Sequence, residues 1–206
     1  MAKPQLVKTM AAQNIVTPSA DSLAASARAA ATKGPAPVHL WSPPFCGDID
    51  MEIRRDGTWL YMGSPIGRPA MVRLFASILK REGDAFFLVT PVEKVGIRVQ
   101  DAPFVAVDVS PTGTGPAQRL TFTTHVGDTV TADADHPIRM ARKPDTGGAV
   151  PYVMVRAGLE ARIDRKTFYR LADLGEVVAR DGADWFGLWS GGTFFPLVPA
   201  ADLPAD

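Results

Sequence analysis

The sequence predicts an α+β protein of two related modules, each a helix packed on an antiparallel sheet, with the C-terminal module the larger. Three observations predict this. A phrase recurs: Ile66-Gly67-Arg68-Pro69-Ala70-Met71-Val72-Arg73-Leu74 and Ile163-Asp164-Arg165-Lys166-Thr167-Phe168-Tyr169-Arg170-Leu171 carry Ile, Arg, Arg and Leu in register. Each copy opens a helical pattern and leads to an aromatic strand, Phe86-Phe87-Leu88 or Trp185-Phe186-Gly187-Leu188, as duplicated units do. From Asp101 onward, short strand-like runs alternate with Gly- and Pro-bearing turns. Residues 1–34 therefore read as a tail and an Ala-rich helix, 35–100 as the first module and 101–206 as the second.

The elements follow in order. Residues 1–18 have no continuous apolar run and read as a tail. Thr17-Pro18-Ser19 caps a helix over Ala20–Ala31, whose only large apolar residue, Leu23, predicts weak packing. Gly34-Pro35-Ala36-Pro37 ends it. Asp56-Gly57 then reads as a two-residue hairpin turn pairing Arg54 with Trp59, Ile53 with Leu60 and Glu52 with Tyr61. That register places Met51, Ile53, Leu60 and Met62 on a core face and Glu52, Arg54, Trp59 and Tyr61 on an exposed charged-aromatic face.

Pro69 suits a first helical turn, and Met71, Leu74, Phe75, Ile78 and Leu79 form an apolar stripe. Lys80 and Arg81 then fall at the helix C-terminus, before a stop at Gly83-Asp84. Strands are expected at Ala85–Thr90, Val95–Val99, Phe104–Val109, Arg119–Thr124, Thr129–Ala132, Ile138–Ala141 and Tyr152–Arg156. A second helix spans Arg165–Leu174, and Gly191-Gly192 joins a final hairpin.

Composition excludes several functions. The chain has 206 residues, with 22 Lys and Arg against 22 Asp and Glu, so no overall field draws it to nucleic acid. No run approaches a membrane span, and a single cysteine, Cys46, excludes an internal disulfide; it reads as a buried or idle thiol. The chain is therefore expected in the cytoplasm. Asp133-Ala134-Asp135-His136 matches no metal motif, no phosphate-binding glycine loop follows a strand, and no catalytic constellation can be assembled. No cofactor can be named.

Arg68 and Arg165 are the sharpest candidates. Each precedes its helix, where the macrodipole disfavours positive charge unless an anion is also bound there. The alternative is pairing with Glu52, Glu93 or Glu160 across the module boundary. Arg73 and Arg170 fall on polar helix faces. Trp59 and Tyr61 offer stacking surfaces, while Glu93, Lys94 and Arg156 are secondary polar candidates.

Several segments resemble one bacterial family: Trp41-Ser42-Pro43, Asp56-Gly57-Thr58-Trp59, Gly63-Ser64-Pro65-Ile66-Gly67-Arg68, Leu88-Val89-Thr90-Pro91-Val92-Glu93-Lys94, Asp101-Ala102-Pro103-Phe104 and Val155-Arg156-Ala157-Gly158-Leu159-Glu160-Ala161. The resemblance is to domain of unknown function 1285 and covers roughly residues 35–197. It implies a duplicated core whose second half looks like a pleckstrin-homology fold, a small-molecule site between the halves and a signalling role.

The reading is thus a non-catalytic binding or sensor protein holding an anionic, nucleotide-like ligand between its modules. The ligand site would comprise Arg68, Arg165, Trp59, Tyr61, Glu93, Lys94 and Arg156. Two alternatives stand beside it: a hydrolase-type enzyme with Glu93 or Asp101 as general base, and an interaction module whose charged-aromatic hairpin face meets a protein partner or a second copy.

Overall fold

The computed structural model describes residues 19–30, 36–142 and 148–203. The expected tail, the Gly34-Pro35 break and the Asp145-Thr146-Gly147 turn lie outside these residues. Helix α1, Ala20–Ala29, starts with a capping box in which the Ser19 and Ser22 side chains each bond the other residue's backbone N–H. Its face of Ala20, Leu23, Ala24 and Ala27 is buried against helix α2, Pro69–Ser77. The expectation of weak packing is corrected here: small alanines let the two helices approach closely, and α1 joins the core of the first module.

In the first module, strands β1 (Phe45–Ile53), β2 (Trp59–Tyr61), β3 (Ser64–Pro65), β4 (Leu79–Glu82), β5 (Ala85–Val89) and β6 (Lys94–Val99) form one sheet. Its order is β3-β2-β1-β6-β5-β4, antiparallel apart from the parallel pair β1·β6. In the second module, β7 (Phe104–Thr112), β8 (Arg119–Thr124), β9 (Thr129–Thr131), β10 (Ile138–Arg142), β11 (Ala149–Arg156) and β12 (Leu159–Ile163) form a sheet ordered β10-β11-β12-β7-β8-β9, with β12·β7 parallel. Helix α3, Arg165–Ala172, then leads to the meander β13 (Glu176–Arg180), β14 (Ala183–Ser190) and β15 (Thr193–Pro199).

The duplication has a structural form. Three strands, a helix and a three-stranded meander occur twice: β1-β2-β3-α2-β4-β5-β6 and β10-β11-β12-α3-β13-β14-β15. In the first unit β1 pairs with β6; in the second β10 packs against β15. The meander β7-β8-β9 is additional and docks on β12, which makes the second module the larger. One continuous core runs from Leu23 through Phe75 and Phe104 to Leu197.

Two local readings are corrected. The hairpin between β1 and β2 contains one more residue than a two-residue turn. Arg54 accepts from Gly57 N–H at 2.9 Å and donates to Thr58 C=O at 2.9 Å, while Gly57 takes φ +87°. This is a three-residue loop with a glycine bulge. Ile53 consequently faces Trp59, Glu52 faces Leu60 and Met51 faces Tyr61. A one-residue slip moves every side chain of the second strand to the other face. Trp59 and Tyr61 join Met51 and Ile53 on the inner face, Met62 is exposed, and the charged-aromatic face does not form.

The second correction concerns α2, which ends at Ser77 instead of continuing through Leu79. Ser77 Oγ donates to Leu74 C=O at 2.7 Å, and the chain enters β4 two residues later. Gly83-Asp84 is therefore a hairpin turn between Glu82 and Ala85, and Lys80 and Arg81 lie on a strand. Gly191-Gly192 turns as expected, with Ser190 opposite Thr193.

Trp59 is 1% exposed and stacks on Phe75 at 6.3 Å between ring centroids. Its indole N–H has no hydrogen-bond partner among the described residues. Trp59→Ala is expected to destabilise the protein by about 3–5 kcal/mol in chemical denaturation. Trp59→Phe, which keeps a stacked ring and removes the unpaired donor, should cost far less.

Candidate functional site

The modules meet along a seam organised by Arg156 at the end of β11. Its guanidinium pairs with the Asp128 carboxylate in the β8–β9 turn, donates to Ala76 C=O at 2.8 Å and lies 4.8 Å from the Phe104 ring centroid. Ala76 is in the last turn of α2, which has no basic residue of its own. Arg156 thus brings positive charge from the second module to the negative end of a first-module helix.

A cleft of about 380 Å³ opens beside this seam. Ala36, Pro37, Val38, Leu79, Ala157 and Leu159 provide aliphatic walls. Arg81, Arg156, Lys80 and His39 complete the lining, and no Asp or Glu joins it among the described residues. The Lys80 ammonium is turned to the other face of β4, where Glu82 holds it at 3.0 Å beside Lys94 and Phe87. Arg81 spans the gap, its Nη1 donating to Gly158 C=O at 3.2 Å while Nε holds Gly83 C=O at 2.8 Å. The carboxylates that balance these cations, Glu82, Asp84 and Asp128, lie outside the lining.

Among the expected ligand residues, only Arg156 lines this cleft. Arg68 is exposed at the N-terminus of α2, beside a separate cavity of about 280 Å³ that Tyr61 and Asp21 share. Arg165 is explained within its own helix: Asp164 Oδ1 caps the N-terminus by accepting from Thr167 N–H at 2.7 Å, and Arg165 Nε donates to Tyr169 Oη at 2.8 Å. The two arginines share no described cavity, which corrects the expectation of a common anion site.

Trp59 is core, as described above. Lys94 is held by Glu82 at 2.9 Å and by the Phe87 ring at 4.8 Å. Glu93 packs against Ser26 of α1, and burial pushes its carboxyl above the usual range, partly offset by the Ser26 hydrogen bond. Asp101 accepts from Tyr152 Oη at 2.6 Å and lies 3.7 Å from Arg55 and 3.9 Å from Arg162, a tie between modules. Burial, and then the Asp101 carboxylate, raise the Tyr152 phenol to about 12. Glu52 and Glu160, expected partners for the helix-terminal arginines, bind Arg98 and Arg139 instead.

Arg170 leaves its polar face to bond Asp108 and, at 2.6 Å, Val109 C=O, fastening α3 to β7. Cys46 is exposed, which corrects the buried alternative of its reading as a buried or idle thiol. Asp133 Oδ1 accepts from Asp135 and His136 N–H groups, so this segment closes a turn. No cluster with metal-ligand chemistry and no helix long and apolar enough to cross a membrane occurs among the described residues.

Reading α2 too long hid Lys80, Arg81 and Ser77. The signal for them was Gly83-Asp84 between Glu82 and Ala85, a two-residue hairpin sequence that also serves as a helix stop.

A second intermodule contact is sensitive to pH. Val105 N–H donates to His125 Nδ1 at 3.1 Å, so the neutral ring carries its proton on Nε2, which packs by Gly57. Burial lowers the His125 pKa below 6.5, against weaker opposing effects of hydrogen bonding and of Asp128 and Asp56. A folded-state pKa below the unfolded value gives stability that is present above pH 6.5 and lost as pH falls. The wild-type denaturation midpoint should therefore fall below that pH, with a shallower decline in His125→Asn. At neutral pH, Arg156→Met should destabilise the fold by about 1.5–3 kcal/mol, and Arg156→Lys should not restore it because an ammonium lacks the planar fork.

Comparison with known proteins completes this picture. Residues 36–102 match the model described as domain of unknown function (DUF1285), N-terminal domain, and residues 103–197 match protein of unknown function (DUF1285), C-terminal domain. The structure is similar to that of a DUF1285 family protein from Silicibacter pomeroyi DSS-3, with 70% identity and a TM-score of 0.80 over 87% of this chain and 96% of that one. A DUF1285 family protein from Shewanella baltica OS155 is 30% identical, with a TM-score of 0.48 over 60% of this chain and 90% of that one. No curated protein matches the chain. Two family models lying end to end and a relative sharing most of the length place the chain in the DUF1285 family.

Proposed function

We propose that the protein is a non-catalytic binding or sensor protein that holds an anionic small molecule between its two modules, with a role in signalling. The observation that carries this reading is the cleft beside Arg156, where Arg81 approaches from one module, Arg156 from the other, and no carboxylate joins the lining among the described residues. Its volume of about 380 Å³ lies within the ~300–1,000 Å³ range of small-molecule pockets. A ligand there would bridge both modules, and coupling ligand charge to module contact is the physical basis for a sensor.

Thermal denaturation with a panel of nucleotides, carboxylates and phosphates tests this. A native-state ligand at 100 times its Kd adds about 2.7 kcal/mol of stability and raises the midpoint. The shift should shrink in Arg81→Gln. A panel without any shift would remove the proposal, as would a shift equal in wild type and in the Arg81 variant.

A further inference from the structure

We infer that the intermodule cleft takes a single-chain aliphatic anion, its charged head between Arg81 and Arg156 and its chain along Val38, Leu79 and Leu159. This rests on the binding reading above and names the ligand class. The walls are aliphatic, and no Phe, Tyr or Trp lines the cleft among the described residues. A nucleobase would therefore lack the aromatic platform on which bases usually stack. The guanidinium groups are poor substitutes, since Phe86 already stands 5.6 Å from Arg81 and Phe104 4.8 Å from Arg156. A ribose would need hydrogen-bonding groups around its hydroxyls, yet among the described residues only Ser77 and His39 add polar side chains to the lining beside the basic ones.

The charged end has donors to give. Of five guanidinium N–H groups, Arg81 commits three, to Gly83, Gly158 and Asp84, and Arg156 two, to Asp128 and Ala76. Two guanidinium groups and hydrocarbon walls in one cleft fit a carboxylate or phosphate on an alkyl chain.

Isothermal titration of the full chain with hexanoate, octanoate, decanoate, decyl phosphate, AMP and decyltrimethylammonium tests the assignment. Saturable binding should tighten about fourfold per added methylene, as burying each CH₂ predicts. The relative affinities of decanoate and decyl phosphate would identify the head group. Arg81→Gln should weaken decanoate about tenfold, the loss of one hydrogen bond to a charged group. Val38→Asp should abolish binding; if it also lowers the unfolding midpoint, Arg81→Gln alone decides. Equal binding of decanoate and decyltrimethylammonium would overturn the inference as surfactant adsorption. AMP binding that depends on Arg81, without decanoate binding, would overturn the aliphatic class and leave the anion-binding reading standing. Binding by none of the anions would overturn both.

Discussion

The half-buried guanidinium of Arg156 is the interaction on which the joined modules depend. A cation removed from water needs compensation. Here it comes from three directions: Asp128 in a turn, Ala76 C=O at a helix end and the face of Phe104. These partners belong to separate elements, so satisfying one charge fixes their relative positions. The hydrophobic core supplies most of the cohesion, but apolar contacts are non-directional and do not choose one alignment of two modules. The planar fork of the arginine does.

Other contacts reinforce that alignment with the same economy. Asp101 at the junction gathers Arg55 from the first module and Tyr152 and Arg162 from the second. The glycine-bulged β1–β2 loop reaches His125, where a side chain at Gly57 would meet the imidazole at 3.0 Å. The cleft is what remains between these fixed contacts. Arg81 and Arg156 line it and no carboxylate does among the described residues, since Asp84 and Asp128 pair with them outside the lining.

Much of the architecture was legible in the sequence because it is local or repeated. The phrase shared by Ile66–Leu74 and Ile163–Leu171 marks equivalent helices, and Gly191-Gly192 marks a hairpin whose register the structure shows. The site was less legible. Arg68 and Arg165 stood out because charge at a helix N-terminus is locally anomalous, yet Asp164 and Tyr169 account for Arg165 within one helical turn. Arg81 looked ordinary because basic residues at a helix C-terminus need no further reason, and its strand placement follows only from where α2 ends.

The sequence by itself determined that a helix and the aromatic strand it leads to occur twice, the positions of most turns and the chemical character of the core. Each depends on residues close in the chain or on a pattern repeated along it. Tertiary structure decided the β1–β2 register, since a glycine bulge and a two-residue turn share the same Asp-Gly and differ by one residue in what the strands bury. It also decided which cations meet. Arg81 and Arg156 reach one cleft through a strand edge, a helix end and a seam between modules, long-range relations that no spacing in the sequence records.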